Sequence, residues 1–164
     1  MAETLILGLG SLFRGDDGVG PAVVAALQKR DLPRGVIIED GGTPGLELVL
    51  LWQGYRRVFI VDAADMGLEP GTWRRFLLEE ASLPYADSSL QGTLHGVGLA
   101  ESIALAEALD VLPPQIVFYG VQPAHIGWSA SLSEVVRSAV SPVCDAILHE
   151  VGDPADQKNQ QASS

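Results

Sequence analysis

The chain has 164 residues, 47% of them apolar and 19% charged, with a formal net charge of −11, and that length suits one domain around one core. So acidic a chain repels phosphate backbones and anionic lipid, which disfavours nucleic acid and membrane surfaces as partners. Its single cysteine, Cys144, excludes an internal disulfide and a CxxC zinc site, and the apolar surroundings predict a buried structural thiol.

The N-terminal "MAETLILGLG" carries no basic segment ahead of its apolar run, and no apolar stretch is long enough to span a bilayer, so a cytoplasmic protein is expected. Residues 4–9, "TLILGL", read as a buried parallel strand. A helix is predicted over 18–30, with Pro21 in its first turn and Lys29 and Arg30 near its C-terminal end. A second strand, 35–40, stops at "GGTPG", and a short helix follows at 45–53. The third strand, 57–62, ends in Asp62. After a turn at 67–71, "TWRRFLLE" suits an edge strand, and 79–94 shows no periodicity. Residues 97–109 form an amphipathic helix that "PP" at 113–114 breaks, and 115–122 is another buried strand. The last helix, 131–150, has Ser131 or Ser133 as its N-cap, and Pro142 should kink or split it. The polar tail from 151 is expected to be disordered. Alternating strands and helices predict a mostly parallel sheet covered on both faces, with sites outside the carboxyl ends of its strands.

The stretch Leu7–Gly20, "LGLGSLFRGDDGVG", opens like a nucleotide-binding loop. Gly8 and Gly10 fit the dinucleotide fingerprint and Asp40 ends the second strand, but Phe13 stands at the third glycine and no Walker lysine is present. Asp16 and Asp17 would oppose a phosphate at the helix start: like charges at roughly 5 Å repel by about 3 kcal/mol at an effective dielectric near 20. A carboxylate pair there suits a cation instead. Asp17, Asp62 and His95, which precedes the helix at 97, can converge at one sheet edge. Two carboxylates and an imidazole form a borderline-hard site with open positions for Zn, Ni, Mn or Fe. Each also has a structural reading: Asp16 or Asp17 as a helix cap, Asp62 as an acceptor for loop amides, His95 as a hydrogen-bonded histidine. One of two close carboxylates should have a raised pKa, which makes Asp16 and Asp17 candidate general bases. His125, in "QPAHIG", borders the same edge. Trp52, Trp73 and Trp128 suit either the core or a partner surface, with the core favoured.

"GLGSLFRGDDGVG" at 8–20, "DGGTPGLEL" at 40–48, "VDAADMGLEPG" at 61–71, "LHGVGLAE" at 94–101 and "VFYGVQP" at 117–123 together resemble the [NiFe]-hydrogenase maturation endopeptidases, from about residue 5 to about residue 150. The resemblance implies a single-domain αβα sandwich around a mostly parallel five-stranded sheet. It implies removal of a C-terminal extension from the hydrogenase large-subunit precursor after nickel insertion. The nickel would be supplied by the precursor, and no permanent cofactor is expected. Family metal-contacting positions carry over onto Asp17, Asp62 and His95, and "DGGT" makes Asp40, Gly41 and Gly42 substrate-shaping positions. Two departures are mild. Ser11 stands where relatives often have Asn, and Asp17 where some have the longer Glu. A nickel-binding chaperone without hydrolysis would use the same ligands.

Overall fold

The first strand, β1 (Thr4–Leu9), is buried along its whole length. The computed structural model describes residues 3–43, 45–77 and 96–152. After β1 come a single 3-10 turn (Gly15–Gly18), α1 (Val19–Leu27), β2 (Val36–Gly42), α2 (Leu48–Trp52) and β3 (Arg57–Ala63). Then follow β4 (Trp73–Leu77), α3 (Gly96–Ala108), β5 (Gln115–Val121) and α4 (Glu134–Val151). The tail from 153, and the aperiodic stretch from 78 to 95 that includes His95, lie outside the described residues.

The sheet has five strands in the order β2-β1-β3-β5-β4. β1, β2, β3 and β5 run parallel, and β4 pairs antiparallel with β5 at one edge. Central strands must be apolar on both faces, and β1, β3 and β5 are. Leu5, Leu7, Val58, Ile60, Ile116 and Phe118 face a core shared with α2 and α3. Ile6, Phe59, Val61, Val117 and Tyr119 face a second core shared with α1 and α4. The αβα sandwich expected from alternation is therefore the fold.

Each helix covers the sheet with the stripe its spacing dictates. α3 buries Leu99, Ile103 and Ala106, and α4 buries Val136, Ala139, Val143, Cys144 and Ile147. Pro142 neither ends nor splits α4, which runs unbroken from Glu134 to Val151. Pro142 and Ser138, whose carbonyl the proline leaves without its helical donor, both lie on the exposed face, where water can serve that carbonyl. α1 is shorter than predicted and ends at Leu27. Arg30, just beyond it, pairs with Asp145 of α4 and bonds Ser141. At the C-terminal end of α4, Glu150 accepts from both Arg75 of β4 and the Tyr119 hydroxyl of β5. Burial, then that bond to Glu150, pushes the Tyr119 phenol well above its ordinary range.

Candidate active site

β1 sends its chain through α1 to β2 on one side, while β3 lies on its other side, so the strand order reverses between β1 and β3. Such a switch point leaves a crevice at the carboxyl edge, because the two following loops diverge there. Asp17 comes from the loop after β1 and Asp62 is the penultimate residue of β3, and both are buried. The 3-10 turn holding Asp17 packs against β3, which brings the two carboxylates' segments to the same edge.

Glycines make this approach possible. A Cβ on Gly20 would stand 2.3 Å from the Leu9 carbonyl oxygen and 2.6 Å from that of Val61, so only glycine lets the start of α1 sit on both strands. Gly10 has φ +119°, and a Cβ there would stand 1.9 Å from the Asp17 carbonyl oxygen. The fingerprint-like glycines therefore serve close packing of the aspartate turn. Ser11 donates its backbone N–H to Asp17 Oδ2 at 2.9 Å, so the serine position orients the carboxylate through its amide.

Asp16 turns the other way, toward the last loop of the chain. Its Oδ2 accepts the N–H of Ala124 at 2.8 Å, the N–H of His125 at 2.9 Å and the Ser133 hydroxyl at 2.8 Å, and its Oδ1 accepts the Ser133 N–H at 2.7 Å. The side chain does not cap α1; it ties the first loop to the residue preceding α4. One carboxyl of the Asp16–Asp17 pair is expected to be raised, and Asp16 is not that one. Burial alone would raise the carboxyl, but the amides of Ser133, His125 and Ala124 and the Ser133 hydroxyl outweigh it and hold the group below its ordinary value. Ser133 is the N-cap residue of α4, yet its hydroxyl goes to Asp16 rather than to the helix.

A second polar side chain holds the loop after β3. Gln122, directly after β5, accepts the Met66 N–H at 2.6 Å and the Leu68 N–H at 3.3 Å, and donates to Asp65 Oδ1 at 3.2 Å. Sequence reading did not single out this residue. Its signal was a polar amide at the end of an otherwise apolar run, where a buried polar group must be satisfied.

The "DGGT" loop borders the crevice from the β2 side. Asp40 is exposed and bonds the Gly42 N–H at 2.9 Å, closing a local turn. A Cβ on Gly41 would press on Leu9 at 2.8 Å, whereas Gly42, at φ +61°, has open space where its Cβ would stand. The Gly10 N–H reaches the Gly42 carbonyl at 3.0 Å, joining this loop to the first. His125 is exposed beside the Asp16 tie, and His149 is exposed on α4. Of the tryptophans, Trp52 is core, Trp73 packs on Tyr119 at 5.9 Å, and Trp128 stands in solvent, the less favoured of its two expected places.

Along β3, Ile60 and the following Ala64 face the α2–α3 core while Val61 and Ala63 face the other, so Asp62 faces the α2–α3 layer. His95 itself lies outside the described residues, but α3 starts at Gly96 in that layer. The Ser102 hydroxyl donates to the Gly45 carbonyl at 2.9 Å, anchoring the first half of α3 at the carboxyl edge. Among the described residues no three His, Cys, Asp or Glu side chains are grouped to hold a metal ion. Carboxylates buried at the carboxyl edge of the sheet repel phosphate and attract cations and N–H donors, which is unlike a nucleotide site. No helix among the described residues is long and apolar enough to cross a membrane.

The chain is 35% identical over 143 residues to the hydrogenase expression/formation protein HupD of Bradyrhizobium diazoefficiens, covering 86% of this chain and 73% of that relative. Its fold superposes on the hydrogenase maturating endopeptidase HybD of E. coli with a TM-score of 0.81 at 27% identity, over 92% of this chain and 93% of the other. The [NiFe] hydrogenase maturation protease HybD of Thermococcus kodakarensis gives a TM-score of 0.74 at 26% identity, over 88% and 96%. The hydrogenase maturation protease family model matches residues 21–150, and this chain belongs to that family of peptidases.

Proposed function

We propose that the protein removes the C-terminal extension from a [NiFe]-hydrogenase large-subunit precursor after nickel has been inserted, in the cytoplasm. The observation that carries this reading is the pair of buried carboxylates, Asp17 and Asp62, at the sheet's switch point. Together with His95, next in sequence to an α3 that starts on the layer Asp62 faces, they form a donor set suited to a borderline metal. The nickel belongs to the precursor and is recognised as part of the substrate; the protease itself needs no resident cofactor.

Ligation of that nickel draws the precursor's tail across the crevice, with Asp40, Gly41 and Gly42 shaping its far wall. Gly42 leaves room for a peptide backbone to come close. The bound nickel polarises the scissile carbonyl or activates a water, and holding the tail beside it supplies orientation. Asp16 is committed to loop architecture, so accepting the proton of the attacking water falls to Asp17. Gly10 and the Ser11 amide keep Asp17 aimed.

The test is the intact mass of a nickel-loaded precursor from the same source before and after incubation, with nickel-free precursor as control. A nickel-dependent loss of a C-terminal peptide is expected, and Asp17→Asn, Asp62→Asn or His95→Ala should each lower its rate by about a hundredfold or more. An unchanged rate in Asp17→Asn or His95→Ala would remove those residues from the mechanism. Nickel binding without any loss of mass would instead identify a maturation chaperone.

A further inference from the structure

Three large apolar side chains near the carboxyl edge face solvent: Leu12 at 51%, Phe13 at 70% and Trp128 at 90% exposure. Single exposed apolar residues are ordinary. These differ because the two loops carrying them are joined. The Ser129 N–H donates to the Phe13 carbonyl at 3.1 Å, the Gly15 N–H to the Ser129 carbonyl at 2.8 Å and the Asp16 N–H to the His125 carbonyl at 2.9 Å. The Asp16 carboxylate adds its bonds to Ala124, His125 and Ser133. Phe13 and Trp128 are thus presented on a braced platform, and the Phe13 loop leads straight into the turn holding Asp17.

We infer that Leu12, Phe13 and Trp128 form a docking platform for the folded body of the precursor, beyond the contacts made by its nickel and tail. This rests on the precursor-processing reading above. Rigidly held aromatics lose little conformational freedom on binding and are the residue types that dominate interface energetics. The occupant follows from charge and position. A net charge of −11 disfavours a second copy of this chain and an anionic membrane alike. The platform adjoins the loop that carries the candidate nickel ligand Asp17, so whatever presents nickel there also meets these side chains. The complementary surface is an apolar depression beside the precursor's nickel site. The buried Asp16 ties therefore brace both the docking surface and the turn that carries Asp17.

The experiment measures the affinity of nickel-loaded precursor for immobilised wild-type protein, Phe13→Ala/Trp128→Ala, Trp128→Phe and Leu50→Ala, with processing followed in parallel by intact mass. Leu50 is an exposed leucine of α2 and serves as the control for simple loss of apolar surface. The double variant should weaken binding by about tenfold or more and raise KM in proportion, with kcat changed by less than about threefold. Trp128→Phe should keep most of the affinity, and Leu50→Ala all of it. Wild-type affinity in the double variant, or an equal loss in Leu50→Ala, overturns the platform while leaving the protease reading intact. Binding that depends on the platform with no change in mass upholds the platform and defeats the protease reading. Failure of the wild-type protein to bind the precursor, or a dimer that Trp128→Ala dissolves, overturns the platform, the latter by showing a second copy as its occupant.

Discussion

Asp16 and Asp17 are neighbours in sequence with opposite assignments. Asp17 lies in the turn at the crevice, its Oδ2 held by the Ser11 amide, while Asp16 spends both oxygens on the loop before α4. Replacing Asp16 with alanine strands three backbone amides and a hydroxyl, so Asp16→Ala should lose about 2–4 kcal/mol, measured by urea denaturation. The pH dependence has a definite sign. The folded-state carboxyl sits below its ordinary value of 3.8. Its stabilisation is therefore complete above that value and disappears as pH falls below it toward the folded pKa. Acid unfolding of Asp16→Asn should accordingly be shallower than that of the wild-type protein. Equal acid profiles would show that the carboxylate charge contributes nothing.

At the scale of elements, the decisive contact is α1 on β1 and β3. Gly20 stands where any Cβ meets two backbone carbonyls at 2.3 and 2.6 Å, and Gly8 meets the Gly20 carbonyl at 2.4 Å in the same way. Backbone cannot move aside as a flexible side chain can. Gly20→Ala should therefore cost about 2–4 kcal/mol, and it should slow processing as well, because α1 follows directly from the turn that holds Asp17. Thermal melting and the precursor-mass assay together check this. At Gly42, where nothing lies within 4 Å, alanine pays only the left-handed backbone penalty of about 1–2 kcal/mol. The contrast between the two sites separates crowding from conformational strain.

For the molecule as a whole, 21 acidic against 10 basic residues leave the folded chain under self-repulsion. Raising ionic strength from about 0.01 M to 0.15 M shortens the screening length from about 30 Å to about 8 Å. The melting temperature should rise over that interval, and a fall on adding salt would show that favourable ion pairs such as Arg30–Asp145 outweigh the repulsion. The same excess of charge sits around a sheet that is apolar on both faces, so stability resides in the two cores and the charge is left to govern solubility and choice of partner.

Periodicity and punctuation alone were enough for the strands at 4–9, 57–62 and 115–122, for a helix near 97–109, and for the sandwich they build, because buried parallel strands must be continuous apolar runs. Motif order was enough to suggest the family, and aspartates at strand ends marked the sheet edge at which the candidate site is proposed. Which aspartate does what was not legible. The roles of Asp16 and Asp17 depend on hydrogen bonds to residues more than a hundred positions away in one case and six in the other. Gln122 and Ser133 were obscure for the same reason, since their partners are loops that only the folded sheet brings beside them. Pro142 left α4 unbroken because its face of the helix is turned to water. Trp128 has a residue type that favours the core and a place in solvent. Local sequence specifies which groups must be buried or paired; only the closed tertiary structure decides with what, because the partners are distant in the chain.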